Sequence, residues 1–237
     1  DMLLCSTREN HLADLKKLLL RLKSFGYVVK FEKCHFMVEK LKFLGVKLSA
    51  PGKIEVDDDF VKALDEIKLP STTRELRGLL GIFNWRSSFL KNFHDNAACL
   101  YELLHHTDPK KSEKIKLEIK HVDAIKNLVQ LAKNAVKLSI PQFGPKAPCY
   151  EIEVDASSVG FGACLKQGDN IIAYASKALS PAGKNYENCH RELAGMMWAL
   201  EKFSKFIQFA SKKTKVYTDN KVVSFLKNAT SAKLIRW

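Results

Sequence analysis

Three features are scarce in this sequence of 237 residues: long apolar runs, closely spaced cysteine pairs and repeated or low-complexity tracts. The apolar runs are only a few residues long, whereas a helix that spans a bilayer needs about 20 apolar residues. The first residues, Asp1–Cys5, include no basic region and no long apolar core, so a secretory signal peptide is not expected. We therefore predict no membrane partner.

The six cysteines are scattered along the chain, and no C-x-x-C pair is present. Zinc sites are built from closely spaced ligand pairs. Disulfide frameworks are typical of short secreted chains, not of a lysine-rich chain of this length. We expect reduced, mostly buried thiols in a cytoplasmic or nuclear protein.

Positive charge is what the sequence has in excess, because 39 Lys and Arg residues outnumber 26 Asp and Glu residues and give a net charge of +13. Residues 51–113 carry 9 basic and 11 acidic groups, whereas residues 1–50, 114–147 and 148–237 each carry a net charge of +5. Such an excess indicates a polyanionic partner, most simply nucleic acid. The alternative is a charge that serves only solubility.

The hydrophobic period predicts a mostly helical region before a strand-rich region. Apolar residues at three- and four-residue spacing predict helices over 10–25, from Asp57 to Pro70, from Thr72 onward, over 96–105 and over 122–135. Thr72 and Glu75 have the spacing of a capping box. Strands are predicted over 27–36 and 41–48, and Pro51-Gly52 predicts a turn.

The period changes to that of strands beyond Pro148. Strands are predicted over 150–155, 160–166 and 171–176, followed by a long helix over 188–209 and a strand over 215–218. Three strands joined by short turns, then a helix and another strand, predict an α/β domain with a mixed sheet.

Three acids in this region have an arrangement that could support chemistry. Asp155 and Asp219 each end a predicted strand, and Glu192 lies in the first turns of the long helix. Converging carboxylates repel each other and favour a cation between them, and Mg²⁺ prefers oxygen ligands. Two such ions would assist phosphodiester cleavage. Gly160 and Gly162 would allow a close approach to the sheet. The alternative is three ordinary surface acids.

The motifs around these acids resemble ribonuclease H of gypsy-type LTR retrotransposon polymerases. The resemblance covers Asp155-Ala156-Ser157 with Gly160-Phe161-Gly162-Ala163, then 174–181, Asn185-Tyr186, 191–194, 198–203 and 217–221, in the family's order and spacing. It implies that Asp155, Glu192 and Asp219 bind Mg²⁺ or Mn²⁺ and catalyse cleavage of the RNA strand of an RNA–DNA hybrid. It also implies that Asn185 and Tyr186 contact the nucleic acid.

The resemblance extends upstream and divides the chain into four parts. Residues 1–56 resemble the end of the reverse transcriptase palm, 57–113 its helical thumb and 114–147, more weakly, the connection, and 148–237 form the ribonuclease H-like domain. The implied fold is α/β (α+β): a palm-end hairpin and a helical thumb, followed by a mixed-sheet domain. Phe43, Leu44 and Gly45 would position a primer end, and Arg74, Arg77 and Lys91 would contact phosphates, although exposed helix charge is the alternative for these three. Trp85 and Phe93 are expected in the core, and stacking on nucleic-acid bases is the alternative for both.

Both ends of the chain depart from the family pattern. Asp1 matches the second aspartate of the polymerase site, so we expect no polymerase activity from this chain alone, and the fingers and remaining palm of the same polyprotein would be partners. The family's fourth metal-binding aspartate lies beyond Asp219, and this chain stops at Trp237 before it, so we expect a truncated domain with impaired ribonuclease H activity. A domesticated remnant that binds nucleic acid or protein without catalysis is the alternative. An active retroelement would place the protein in a virus-like particle.

Overall fold

The computed structural model describes residues 1–105, 107–180, 183 and 186–219. The helices among them are α1 (His11–Ser24), α2 (Asp58–Ala63), α3 (Thr73–Trp85), α4 (Phe93–Glu102), α5 (Ile119–Lys133), α6 (Asn188–Lys202) and α7 (Ser204–Ile207). The strands are β1 (Lys40–Phe43), β2 (Val46–Ser49), β3 (Lys53–Val56), β4 (Leu138–Ser139), β5 (Tyr150–Ala156), β6 (Gly160–Gln167), β7 (Asn170–Ala178) and β8 (Lys215–Tyr217). The predicted α/β class is confirmed.

The first sheet has the order β1-β2-β3-β4 and is antiparallel throughout. The single strand predicted over 41–48 is wrong, because Leu44 and Gly45 adopt positive φ angles of 48° and 77° and form a tight turn between β1 and β2. Two consecutive residues with positive φ match the twist of a two-residue hairpin. The prediction of a turn at Pro51-Gly52 agrees with the path from β2 to β3.

The strand predicted over 27–36 is also wrong. Phe31–Lys33 form one turn of 3₁₀-helix, and the side chains of Tyr27 and Val28 are exposed. Among the described residues, no strand lies beside this segment to complete the backbone ladder. Aromatic and β-branched residues favour a strand only where a neighbour can pair with it.

Ion pairs attach the hairpin to the first turn of α2. The ammonium of Lys42 lies 2.9 Å from Asp57, and that of Lys47 lies 2.8 Å from Asp58. These acids lie where the helix dipole favours negative charge, and Asp57 also accepts the Asp59 N–H as the N-cap. The acidic character of residues 51–113 therefore serves partly to neutralise hairpin lysines.

Helix α3 begins almost as its sequence predicts. The Thr72 hydroxyl accepts the Glu75 N–H at 3.2 Å, but the Glu75 carboxylate accepts the N–H of Ser71 at 2.7 Å, one residue earlier than in a standard capping box. Helices α3, α4 and α5 pack together with β3 and β4 in the first hydrophobic core. Its most buried members include Leu76, Phe83, Phe93, Leu100 and Leu128.

The second sheet has the order β7-β6-β5-β8, with β8 parallel to β5 and the other pairs antiparallel. This confirms the predicted mixed sheet. Helix α6 covers one face, where the second core includes Ile152, Leu165 and Phe203. The helix predicted over 188–209 is shorter than expected, since α6 ends at Lys202 and α7 follows after Phe203.

Helix α4 joins the two halves by packing on the other face of the second sheet. The backbone N–H of His94 donates to the Ser176 hydroxyl at 3.0 Å, and Lys53 donates to Asn170 at 3.0 Å. The two sheets therefore lie in one continuous structure. Within the described part of the chain, no helix has both the length and the apolar character that crossing a membrane would require.

Candidate active site and nucleic-acid contacts

Asp155 and Asp219 lie at the same edge of the second sheet. Strand β5 pairs in parallel with β8, and Glu153 lies opposite Tyr217. Asp155 lies two residues after Glu153, and Asp219 lies two residues after Tyr217. Carboxyl ends of neighbouring parallel strands meet at one sheet edge. Both aspartates are exposed. The predicted convergence of these two acids agrees with the strand register.

Glu192 reaches this edge from α6 and is 4% exposed. Its carboxylate accepts the Thr218 hydroxyl at 3.4 Å, which connects it to the residue before Asp219. Burial is the main cause that raises the pKa of Glu192, and the nearby charges of Asp219 and Asp155 raise it further. The structure therefore brings the three predicted acids into one electrostatic cluster.

A glycine on α6 allows this arrangement. A Cβ at Gly195 would lie 3.2 Å from Phe161, tighter than ordinary contact, and 3.4 Å from Val154. Since Gly195 follows Glu192 by one turn, the close approach of α6 to β5 brings the glutamate to the strand end. The motifs described above do not include this glycine, whose sequence signal is the pattern Glu-x-x-Gly on a buried helix face.

The donor set fits a hard divalent cation. All three side chains offer carboxylate oxygens, which Mg²⁺ prefers. Burial is the main cause of the raised pKa of Glu192, and the charges of Asp219 and Asp155 add the repulsion that a cation would relieve. The oxygens of Asp155, Glu192 and Asp219 do not all lie within 4.8 Å of one another. An ion held by these three acids would therefore need waters to complete its coordination, which Mg²⁺ commonly retains.

Gly160 and Gly162 do allow a close approach to the sheet, but by side chains of this chain. A Cβ at Gly160 would lie 2.6 Å from Asp95, and one at Gly162 would lie 2.7 Å from Asn92. Both contacts come from the beginning of α4. The glycines thus seat the helical part of the molecule on the face of the sheet that carries Asp155.

The predicted primer-end residues form the hairpin turn. Leu44 is 58% exposed at the tip, and Phe43 is half-buried. A Cβ at Gly45 would lie 3.5 Å from Arg86 and 3.6 Å from Trp85, so the turn lies against the end of α3. Their contact with a primer stays a prediction.

Arg77 already has oxygen partners within the chain. Its guanidinium donates to the Thr107 hydroxyl at 2.6 Å and to the carbonyls of Asp108 and Lys111 at 3.2 and 3.3 Å. Arg74 and Lys91 are exposed. Phosphate contact remains a prediction for all three residues. For Arg77, the N–H donors that would bind a phosphate already bind oxygens of this chain.

The remaining predicted site residues are spread over the chain. Asp1 is exposed at the first position, and Tyr186 is half-buried just before α6. Asn185 lies outside the described residues. Among the predicted thumb contacts, Lys91 directly precedes Asn92, whose side chain lies against Gly162, the cross-strand partner of Asp155.

An exposed face of α3 combines small, aliphatic and aromatic residues that form no part of the motifs above. Gly78, Gly81, Ile82 and Trp85 are all exposed, and a Cβ at either glycine would have nothing within 4 Å. Trp85 is 66% exposed, so its expected core position is wrong, whereas the prediction for the fully buried Phe93 is confirmed. The spacing of three and four residues was the available signal for this face.

The six cysteines are free thiols, but only Cys164 is buried, so the expectation of mostly buried thiols is wrong. Burial raises the pKa of Cys164 to about 11. Cys189 lies near Glu187 and His190 at the start of α6, with its sulfur 3.8 Å from the His190 Nδ1. These three are sequence neighbours rather than residues brought together by the fold.

Comparison with known proteins shows similarity along the whole chain. Residues 146–237 match the RNase H-like domain found in reverse transcriptase. The whole chain aligns with the retrovirus-related Pol polyprotein from transposon gypsy of Drosophila melanogaster at 29% identity, and the match covers 23% of that polyprotein. In the Pol polyprotein from transposon opus of the same organism, 97% of the chain aligns at 28% identity, and the match covers 24% of the polyprotein. The chain thus spans less than a quarter of the length of these curated relatives.

Solved structures show the same fold. The structure of the foamy viral protease-reverse transcriptase in complex with RNA/DNA hybrid aligns with 99% of this chain, with a TM-score of 0.80 and 23% identity. The alignment covers 32% of the foamy viral chain. A dsDNA complex of that protein covers 96%, with a TM-score of 0.76, over 46% of its own length. The resemblance predicted from the motifs is therefore confirmed: this chain is similar over its whole length to part of the gypsy-type retrotransposon Pol polyproteins, and its residues 146–237 match the RNase H-like domain found in reverse transcriptase.

Proposed function

We propose that this chain binds RNA–DNA hybrids and that its second sheet hydrolyses the RNA strand. The observation that carries the proposal is the convergence of Asp155, Glu192 and Asp219 on one sheet edge. Three acids from two parallel strands and a covering helix do not meet there through local sequence proximity. The fold similarity to a reverse transcriptase solved with RNA/DNA hybrid supports the substrate class.

The three acids have different positions and so different roles. Asp155 and Asp219, exposed at the strand ends, would hold a divalent cation on the solvent side, and buried Glu192 would hold it from beneath, oriented by the Thr218 hydroxyl. Bound Mg²⁺ or Mn²⁺ ions supply water activation and stabilise the leaving 3′ oxygen. The buried position of Glu192 keeps its carboxylate fixed while substrate enters and leaves.

Nucleic-acid binding would use the exposed face of α3 and the neighbouring hairpin turn. The two glycines leave room for a sugar–phosphate backbone, and Trp85 and Leu44 offer exposed apolar surface. Recognition by helix shape and 2′-hydroxyl groups fits a surface without a dense set of base-reading side chains. The remaining parts of a Pol polyprotein are the expected protein partners, in the cytoplasm, the nucleus or a virus-like particle.

Cleavage of a labelled RNA–DNA hybrid by the 237-residue chain tests this proposal. We expect RNA-strand cleavage that is slow compared with an intact ribonuclease H, requires Mg²⁺ or Mn²⁺ and falls at least about 100-fold in Asp155→Asn and Glu192→Gln, because each change removes a charge needed to hold the cation. Duplex DNA of the same sequence is the substrate control, and Asp169→Asn, on the turn between β6 and β7, is the matched protein control. Cleavage that persists in both site variants contradicts the proposal.

Binding without cleavage would support a different function. Suppose that the wild-type chain and the two site variants bind the hybrid with equal affinity, and that the wild type cleaves no RNA with Mg²⁺ or Mn²⁺. A non-catalytic nucleic-acid-binding module is then the better description of the chain. If the chain neither binds nor cleaves hybrid, both nucleic-acid functions are excluded.

A further inference from the structure

A further carboxylate, Asp95 on α4, lies on the face of the second sheet that carries Asp155. Asp155 pairs across β5 and β6 with Gly162, and Gly160 lies two residues earlier on the same face. Asp95 Oδ1 lies 2.6 Å from where a Cβ on Gly160 would be. The acid from the helical part of the chain is therefore seated directly beside the strand end of the candidate site.

The same carboxylate contacts the turn that follows Asp155. The Ser157 hydroxyl lies 3.5 Å from Asp95 Oδ2 and also accepts the backbone N–H of Gly160 at 2.9 Å. Ser157 is only two residues beyond Asp155. Asp95 thus lies at a fixed position over the turn between β5 and β6, although the hydrogen bond itself is long.

Fold stability does not account for an acid at this position. Asp95 Oδ1 is buried and has no hydrogen-bond partner among the described residues, and an unsatisfied buried polar atom usually costs about 1–3 kcal/mol. Burial, followed by the charge of Asp155, raises the pKa of Asp95. Removing the charge would relieve the repulsion from Asp155 and lower the cost of burial, so an acid here is better explained by its effect on neighbouring charge.

We propose that Asp95 is a positioning residue of the metal site, whose negative charge over the Ser157 turn increases the affinity of Asp155 for a divalent cation. This inference rests on the proposed function, because it takes Asp155 as a metal ligand. Asp95 acts through Asp155 and the electric field at the sheet edge. It also makes the site dependent on the helical part of the chain, since α4 supplies the charge.

Mn²⁺ binding to the 237-residue chain at pH 8, followed by the electron paramagnetic resonance of free Mn²⁺, tests this inference. Asp95→Asn keeps the shape and an acceptor oxygen but removes the charge. We expect about tenfold weaker Mn²⁺ binding, at the low end of the 10- to 100-fold range typical of residues that support metal ligands. We also expect a melting temperature without Mn²⁺ that equals or exceeds the wild-type value, which a purely structural role would not give.

Four further variants separate the explanations. Asp123→Asn removes an exposed charge on α5 and should leave Mn²⁺ binding unchanged, and Ser157→Ala removes the hydrogen bond but not the Asp95 charge and should change affinity less than Asp95→Asn. Asp95→Ser provides a second neutral variant if the asparagine variant does not fold. Asp95→Asn in an Asp155→Asn background should weaken binding no further.

The outcomes distinguish this inference from the proposed function. If Asp155→Asn loses Mn²⁺ binding while both neutral Asp95 variants retain wild-type affinity, the inference is wrong and the proposed function stands. If Asp155→Asn itself binds Mn²⁺ as the wild type does, the metal site and the inference both fail.

Discussion

Single side chains at the contact between α4 and the second sheet determine how the two halves respond to pH. The His94 Nδ1 lies 2.9 Å from the Ser176 hydroxyl oxygen, and the ring stacks on Tyr101 with centroids 5.9 Å apart. Burial, followed by the charge of Lys202, lowers the pKa of His94. The folded chain therefore binds a proton at His94 less readily than the unfolded chain.

This shift predicts a loss of stability at mildly acidic pH. When the pKa of a histidine is lower in the folded chain than in the unfolded chain, its contribution to folding stability is complete above the ordinary histidine pKa of about 6.5. That contribution is lost as the pH falls below this value. We expect His94→Gln to reduce the difference in melting temperature between pH 7.5 and pH 5.5. His35→Gln, at an exposed position, is the control. An unchanged pH dependence in His94→Gln would contradict the assignment.

Gly162 allows a second test of the same contact. A Cβ at Gly162 would overlap the Asn92 side-chain oxygen at 2.7 Å, whereas one at Gly160 would also lie 2.8 Å from the backbone carbonyl of Lys177. We expect Gly162→Ala to lower the free energy of unfolding by about 1–3 kcal/mol. Asn92→Gly, which keeps the positive φ of 52° accessible, should restore most of this loss in the double variant.

Urea denaturation of the four proteins in this cycle measures the coupling. Gly160→Ala should not be rescued by Asn92→Gly, because its backbone neighbour cannot move aside as a side chain can. A Gly162→Ala loss that is equal with and without Asn92→Gly would show that α4 does not seat on the glycine as described.

At the level of whole elements, α3 carries two glycines that weaken it as a helix. Gly78 and Gly81 lie inside α3, and a Cβ at either would have nothing within 4 Å. Glycine costs about 0.8–1.0 kcal/mol relative to alanine in a helix interior. Since packing inside the chain does not require them, the proposed nucleic-acid contact predicts a ligand that approaches the helix closely at these positions.

Replacing these glycines should therefore separate stability from binding. We expect Gly78→Ala and Gly81→Ala each to raise the free energy of unfolding by about 1 kcal/mol and to weaken RNA–DNA hybrid binding. Urea denaturation and fluorescence anisotropy with a labelled hybrid measure the two effects. Stabilised variants that bind hybrid with unchanged affinity would exclude this face of α3 from the nucleic-acid contact.

Elements were predictable where local pattern and tertiary pairing agree. The strands of the second sheet and the start of α3 follow their sequence signals because alternation, turns and a threonine cap all act locally. The segment 27–36 has strand-forming residues but lacks a neighbouring strand among the described residues. The short β4, Leu138–Ser139, has no signal of its own and forms because β3 pairs with it.

The candidate site was predictable to a similar extent. The three acids follow from strand ends and a helix start, so their common edge could be inferred from order alone. The position of Asp95 could not, because it depends on how α4 packs across the sheet, 60 residues before Asp155 in the sequence. Contacts between distant segments lack a local pattern, and only the assembled fold shows them.

For the molecule as a whole, the net charge of +13 has two kinds of contributor. Some lysines are already paired, as Lys47 is with Asp58 at 2.8 Å, while Arg74 and Lys91 are exposed on the helical part. A paired lysine has its charge locally compensated. An exposed one remains available to a phosphate, and a phosphate contact releases a counterion when it forms.

The salt dependence of hybrid binding should reflect this difference. Each phosphate contact adds about 0.7–0.9 to the magnitude of the slope of log K against log salt concentration, so we expect Arg74→Ala and Lys91→Ala each to reduce that magnitude by about 1. Lys47→Ala should leave the slope unchanged, because Asp58 compensates the lysine in the free chain. Affinities measured between 50 and 200 mM salt, about the range over which such contacts are resolved, provide the comparison. A wild-type slope near zero, or an equal reduction in all three variants, would show that the exposed charges of the helical part do not contact the nucleic-acid backbone.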